Sequence, residues 1–379
     1  MNMKVSYTER KNSIITDKGN IERLYEFNNF PVFIGCTDKD YKDDLYADMI
    51  WDICVDSGMI QLHNLLSADI VYSSYHSEAV GGIWKEHHNE FSRFIYNFHP
   101  KDVLEIGGSN GNLAINYLEI QNNIRSWTII EPNPSIKSNK KIKVLKGFFG
   151  KDTVVNGIDT IVISHVLEHI YDPNSFLQNI NRHIEIGQYL ILSIPNLHVY
   201  LQKKFSNSIN FEHTYFLTEY FCNFLLLKHG FEIEKKSYFR DHSIFLAAKK
   251  TNIEQTPETV NHYIENKRMY LGMVNYYTEE TKRLNSLIDQ FPGKIFLFGA
   301  HIFSQFLIYL GLNSRKISNI IDNSELKNGK RLYGTELYVR KPDVINMHDS
   351  VAVILKAGQY QKEVKNQLSL LKKDVVIWE

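Results

Sequence analysis

The stretch Val103-Leu104-Glu105-Ile106-Gly107-Gly108-Ser109-Asn110-Gly111-Asn112-Leu113 runs from an apolar strand into a turn of small residues that opens a helix. Glycine supplies positive φ and lacks the Cβ that would keep a ligand from the backbone. The N–H groups of the helix after the turn point toward whatever binds there. Gly107 and Gly111 are the positions that need this freedom, with Ser109 between them. A glycine turn alone is a weak signal, and the next strand strengthens it. Trp127-Thr128-Ile129-Ile130-Glu131 is a second strand ending in an acid, about 24 residues beyond Gly107. A carboxylate at that place, just before Pro132, can accept both hydroxyls of a ribose.

Outward from this unit, apolar strands alternate with helical stretches, the pattern of a parallel sheet with crossover helices. The expected strands are Asp102–Ile106, Trp127–Glu131, Ile158–Ser164, Gln188–Ile194, Phe231–Tyr238 and Ser243–Lys249, the last two pairing antiparallel across Arg240-Asp241-His242. The fold class is α/β, with a doubly wound core. Residues 1 to about 90 show few regular runs and read as an irregular helical or mixed lobe. After a polar linker near Pro257 and a helix reaching about Gln290, a second β-α-β pattern starts at Lys294, with strands Ile295–Phe298, Ile317–Ile321 and Val351–Leu355. The expected division is 1–92, 93–252 and 253–379.

Composition narrows the function classes. The 379 residues hold 43 Lys+Arg against 43 Asp+Glu, so no global positive field favours a nucleic-acid partner. Three cysteines are too few for a disulfide framework, and Met1 to Arg10 hold no apolar stretch resembling a signal peptide, so a cytoplasmic location is expected. Ile295 to Leu312 carries no formal charge, but Gly299, His301, Ser304 and Gln305 interrupt it. It reads as strand, turn and helix, and no membrane partner is expected.

Glu105, inside the strand before the turn, separates S-adenosylmethionine from a nicotinamide dinucleotide. Val103-Leu104-Glu105-Ile106-Gly107 resembles the first motif of class I methyltransferases, where an acid lies near the methionine end of the cofactor. Ile158 to Pro173, with Ser164-His165-Val166-Leu167-Glu168-His169 at its centre, looks like their fourth strand and the helix after it, so Ser164 and His165 are expected on the cofactor side. His165 and His169, one helical turn apart, would share a face and an ion. The same histidine-rich helix start occurs in that group without a metal, and no metal is expected here.

The whole chain resembles three-part methyltransferases acting on nucleotide-linked 4-keto sugars, which add a methyl to carbon and combine a zinc-binding N-terminal module, a Rossmann-like core and a smaller C-terminal Rossmann-like domain. Trp51 to Leu62 is similar to part of the zinc module, but Ser57 replaces its second cysteine. Cys36 and Cys54 remain, with His63 and His76 as the only further candidate ligands, and no structural zinc is expected. Tyr75 and His76 match a segment that in the family lies over cofactor and sugar. Asn210-Phe211-Glu212-His213-Thr214-Tyr215-Phe216 resembles the catalytic string after the fifth strand, with one residue fewer between His213 and Tyr215.

The resemblance implies S-adenosylmethionine as cofactor and a nucleotide-sugar as substrate, with His213 as the base, Glu212 orienting it and Tyr75 or Tyr215 steadying an enolate. In the C-terminal part, Phe298-Gly299-Ala300-His301 and Asp322 repeat the spacing of glycine turn and acid, and Lys330 and Arg331 are expected at the substrate's diphosphate. O-methylation of a sugar hydroxyl and a non-catalytic nucleotide-binding protein stand as alternatives, and the sequence leaves the oligomeric state open.

Overall fold

Seven strands build the central sheet: β1 (Asp102–Ile106), β2 (Ser126–Glu131), β3 (Ile142–Lys146), β4 (Thr160–Ser164), β5 (Tyr189–Pro195), β6 (Phe231–Phe239) and β7 (Ser243–Lys250). The structure, a computed structural model, describes residues 6–71, 82–121, 124–252, 255 and 257–379. The strand order is β6-β7-β5-β4-β1-β2-β3, with β7 antiparallel to both neighbours and the others parallel. Chain direction across the sheet reverses between β1 and β4, and at such a switch point the strand ends leave a crevice for a ligand.

Every residue of β1 is buried, as befits a strand covered on both faces. Successive side chains point to opposite sides. Leu104, Ile106, Ile161 and Ile163 pack with helices α3 (Pro173–His183) and α4 (Glu219–Lys228), whereas Val103, Ile129 and Val162 pack with α1 (Gly82–Tyr96) and α2 (Asn112–Ile120). Asp172 caps α3 by accepting the Ser175 N–H, and Pro173 follows at its first position. The 92/93 division falls inside α1, which belongs with the core because Phe91, Phe94 and Ile95 pack against the sheet.

Among the described residues the N-terminal lobe is built mainly on strands, with one short α-helix at Ala68–Val71. Ile21–Pro31, Tyr46–Cys54 and Ile60–Leu62 form an antiparallel sheet. The long first strand carries register shifts between Arg23 and Tyr25 and between Phe27 and Phe30, which break the alternation that would reveal it in sequence. The turn after Cys54 closes through the Gly58 N–H on the Cys54 carbonyl. Among the described residues, neither Cys36 nor Cys54 falls within a group of three side chains able to share an ion.

Beyond helix α5 (Tyr263–Gln290), strands β8 (Lys294–Phe298), β9 (Ile317–Ile321), β10 (Val339–Arg340), β11 (Val351–Leu355) and β12 (Val376–Trp378) form a parallel sheet in the order β10-β9-β8-β11-β12. No described helix is long and apolar enough to cross a membrane. Phe27, Phe30 and Trp51 of the N-terminal lobe share one apolar cluster with Tyr270 and Met273 of α5 and with Phe306 and Leu307 of helix α6 (Ile302–Tyr309). The two ends of the chain therefore stabilise each other.

Arg331 strengthens that junction. It is buried, and its guanidinium meets both carboxylate oxygens of Asp44 at 2.7 Å while also donating to the carbonyls of Lys39 and Thr335. With its donors spent inside the protein it cannot bind a diphosphate, which corrects the expectation for this residue. Arg331→Met should leave the Asp44 carboxylate buried and uncompensated and lower unfolding stability by about 3–5 kcal/mol. Arg331→Met with Asp44→Leu should recover most of that loss in denaturant titration. A single variant as stable as the parent would contradict this role.

Candidate active site

The turn after β1 is shaped by its own packing. Gly107 has φ +78°, and a Cβ there would lie 2.5 Å from Val166 Cγ2. At Gly111, with φ +72°, a Cβ would lie 2.4 Å from Ile136 Cδ1. Only glycine satisfies both the backbone and the space at these positions. The Glu131 carboxylate closes the turn from the end of β2, accepting the Ser109 N–H at 3.1 Å and the Asn133 N–H at 2.9 Å. Glu131 and Pro132 stay half-buried, so the carboxylate remains within reach of a ribose.

Glu105 lies beneath the turn, buried, with Oε2 accepting the Trp127 indole N–H at 2.7 Å. Burial pushes its pKa up to about 7, opposed by that hydrogen bond. Ser164 ends β4, and His165 follows with φ +53°, so the chain leaves the strand through a left-handed residue instead of a helix. Leu167–His169 is a single tight turn. His165 and His169 are therefore not successive positions on one α-helix face, as the one-turn spacing suggested.

The loop after β5 brings a second histidine to this turn. Asn210 Oδ1 accepts the N–H groups of Glu212 and His213, each at 2.8 Å, which fixes the loop's bend. The Thr214 N–H then donates to the Glu168 carbonyl at 3.0 Å. His169 Nδ1–H must be the donor to the Glu212 carbonyl at 3.0 Å, since a carbonyl only accepts. The His169 and His213 rings meet at 4.9 Å between centroids. Between them lies Glu168, fully buried, with neither carboxylate oxygen hydrogen-bonded; Oε1 is 3.5 Å from His165 Nδ1 and 3.8 Å from His169 Nε2. Burial pushes the Glu168 carboxyl up to about 8.

Several expected roles change at this point. Burial, reinforced by neighbouring His169, pushes His213 down to about 3, so it is a poorer proton acceptor than a near-neutral base. Glu212 offers its backbone carbonyl to His169 Nδ1–H at 3.0 Å, and its carboxylate raises the His213 pKa against burial. Tyr215 is wholly buried in the core and its hydroxyl donates to the Leu167 carbonyl at 2.5 Å, so it is structural and not an enolate donor. Tyr75 and His76 lie outside the described residues. Sequence patterning reads His87 as a solvated or packed helix start and misses His242; the two are buried beside His165 and hydrogen-bonded to Ser193 at 2.9 Å and Ser243 at 2.5 Å respectively. These rings come from segments far apart in the chain, and no local spacing signals their meeting.

The C-terminal sheet repeats the same closure. Gly299 has φ +98°, and Asp322 at the end of β9 accepts the N–H groups of Ala300 at 2.8 Å and Ser324 at 2.9 Å. Lys327 lies 3.2 Å from the same carboxylate. Next to this turn, burial pushes His301 down to about 4, Lys327 adds to the shift, and Glu212 and Asp322 oppose it. Lys330 is partly exposed and 3.4 Å from Asp38.

Residues 80–236, from the start of α1 through most of β6, match the family described as the methyltransferase domain. Over those residues the chain is similar to methyltransferase domains, on a Rossmann-like core, and S-adenosylmethionine is the cofactor such a domain uses. The glycine cradle and the Glu131 carboxylate fit such a nucleoside. No curated protein matches the chain in sequence.

Among solved structures, the mitomycin 7-O-methyltransferase MmcR is 16% identical over 48% of this chain and 62% of its own, with a TM-score of 0.39. The N,N-8-amino-8-demethyl-D-riboflavin dimethyltransferase RosA from Streptomyces davawensis is 16% identical over 44% of this chain and 55% of its own, with a TM-score of 0.37. The N-methyltransferase NodS from Bradyrhizobium japonicum WM9 is 13% identical over 44% and 96%, at 0.34. The chain spans little more than half the length of the first two. Likeness this distant says nothing of the acceptor.

Burial makes Glu105 bind its proton more tightly in the native state than in the unfolded chain, where the carboxyl titrates near 4.5. Its contribution is therefore a loss of stability as pH rises from about 4.5 to about 7. Glu105→Gln, which can still accept the Trp127 hydrogen bond, should match the parent near pH 4 and exceed it at pH 8 by up to about 3 kcal/mol in denaturant unfolding. Equal stability of the two proteins at pH 8 would contradict the buried-acid assignment.

Proposed function

We propose that the chain transfers a methyl group from S-adenosylmethionine to a nucleotide-linked sugar, at the carbon beside a keto group and by way of an enolate. The observation that carries this reading is that each sheet closes a glycine turn with an acid: Glu131 accepts the Ser109 N–H at 3.1 Å and Asp322 accepts the Ala300 N–H at 2.8 Å. Two glycine turns closed by acids, one in each sheet, suit two nucleotide-bearing molecules, the cofactor and the acceptor.

The cofactor, when bound, supplies an electrophilic methyl on sulfur. On its side of the crevice, Gly107, Ser109 and Gly111 offer backbone, Glu131 beside Pro132 takes the ribose hydroxyls, and Glu105, Ser164 and His165 lie toward the reacting end. On the acceptor side, Glu168, His169 and His213 surround the carbon to be activated, whose proton passes to solvent water as the enolate forms, and Lys330 lies toward the diphosphate. The division of labour follows three parts: a lobe over residues 1–81, the core from α1 to about residue 252, and the second sheet from 253.

Mass spectrometry of nucleotide-linked keto and hydroxy sugars, incubated in D2O with the protein and S-adenosylmethionine, tests this reading. One methyl increment on a keto sugar, with deuterium entering beside its carbonyl, is expected. An increment on a hydroxy sugar without exchange would replace it by O-methylation, and no increment with any acceptor would count against catalysis. His213→Ala should lower turnover by about 100-fold or more while leaving cofactor affinity within about twofold.

A further inference from the structure

Glu168 poses a problem that methyl transfer alone does not resolve. A carboxyl with both oxygens buried and without a hydrogen-bond donor forfeits its hydration for nothing in return. Ring nitrogens surround it: His165 Nδ1 lies 3.5 Å and His169 Nε2 3.8 Å from Oε1. The other nitrogen of His169, Nδ1, is held by the Glu212 carbonyl at 3.0 Å. His213 Nδ1 is shut from solvent and has no partner. One ligand atom from each of Glu168, His169 and His213 lies within 4.8 Å of the others. Ligands about 2.0–2.1 Å from a tetrahedral ion sit roughly 3.4 Å apart, so a small inward movement would close the set on a cation.

We propose that Glu168, His169 and His213 form a binding site for one divalent transition-metal ion of the zinc type. Two imidazoles and one carboxylate suit such an ion, leave a coordination position open and supply one negative charge against its two. The Glu212 carbonyl, by holding His169 Nδ1–H, orients the ligand as outer partners of metal-bound histidines do. Asn210 does the same for His213 by fixing the bend of its loop. The neighbouring group of His87, His165 and His242 is a poorer candidate, because it offers no carboxylate to offset the charge of the ion. The site is distinct from the cysteine module of the family that the N-terminal lobe resembles, and it draws on neither Cys36 nor Cys54. Resting on the reading above, its open position is where the acceptor's oxygen would bind; the metal site itself does not depend on which acceptor is methylated.

The test uses the full chain, stripped with a chelator and titrated with Zn2+ by calorimetry and with Co2+ by visible absorption. One ion per chain is expected, without the charge-transfer absorption of a cobalt–thiolate bond. X-ray absorption of the zinc-loaded parent should show a nitrogen and oxygen shell with imidazole scattering and no sulfur. Glu168→Gln and His213→Asn should each weaken zinc binding by about 100-fold or more, whereas His87→Gln should bind as the parent does. Failure of the parent to bind one ion, a sulfur-containing shell, or unchanged affinity in folded Glu168→Gln or His213→Asn would overturn the proposal. Because the readout is metal binding, its failure leaves the methyl-transfer assay to stand or fall separately.

Discussion

The backbone of Thr214 is where the separate parts of the molecule are fastened together. Its N–H donates to the Glu168 carbonyl in the turn after β4, and its carbonyl accepts from the Leu62 N–H of the N-terminal sheet and from the Arg10 guanidinium. Phe216 N–H, two residues on, donates to the Ile60 carbonyl. A loop at the carboxyl end of β5 thereby makes an antiparallel bridge to the lobe at Gln61 and Tyr215, and its position relative to β4 is set by hydrogen bonds. Without this junction, His213 would have no fixed relation to His169 and Glu168. The same bonds draw Tyr215 inward, which is why a tyrosine two residues from His213 serves the core.

Two sheets in this chain close a glycine turn with an acid from the neighbouring strand. Glu131 does so across β1 and β2, Asp322 across β8 and β9, and in both a carboxylate oxygen accepts a backbone N–H of the turn. The difference lies in what surrounds the acid. Glu131 remains half-buried, its two carboxylate oxygens each accepting a backbone N–H. Asp322 is neutralised by Lys327. The first arrangement leaves a carboxylate met by backbone N–H groups; the second presents a charge-balanced pair.

The core is legible in the sequence because its strands are buried on both faces and read as apolar runs. Asp102–Ile106 agrees to the residue, and the antiparallel pair at 231–250 follows from its short polar turn. Strand β3, Ile142-Lys143-Val144-Leu145-Lys146, escapes because at the sheet's edge it mixes lysines with apolar residues. The N-terminal strands escape because irregular pairing breaks the period of two. The site is half legible. Gly107, Gly111 and Glu131 are local signals of backbone conformation and strand ends. The pairing of Glu168 and His169 with His213 is not local, since it depends on one loop folding back onto another, and Arg331 reads as a free cation until Asp44 is found against it.

Titration calorimetry of S-adenosylmethionine against the parent protein and Glu131→Ala tests the assignment of the β1 turn most directly. One molecule bound per parent chain is expected, with affinity at least about 10-fold weaker in the variant through loss of the paired hydrogen bonds to the ribose. No binding by the parent, or the same affinity in Glu131→Ala, would contradict the placement of the cofactor between Gly107 and Glu131.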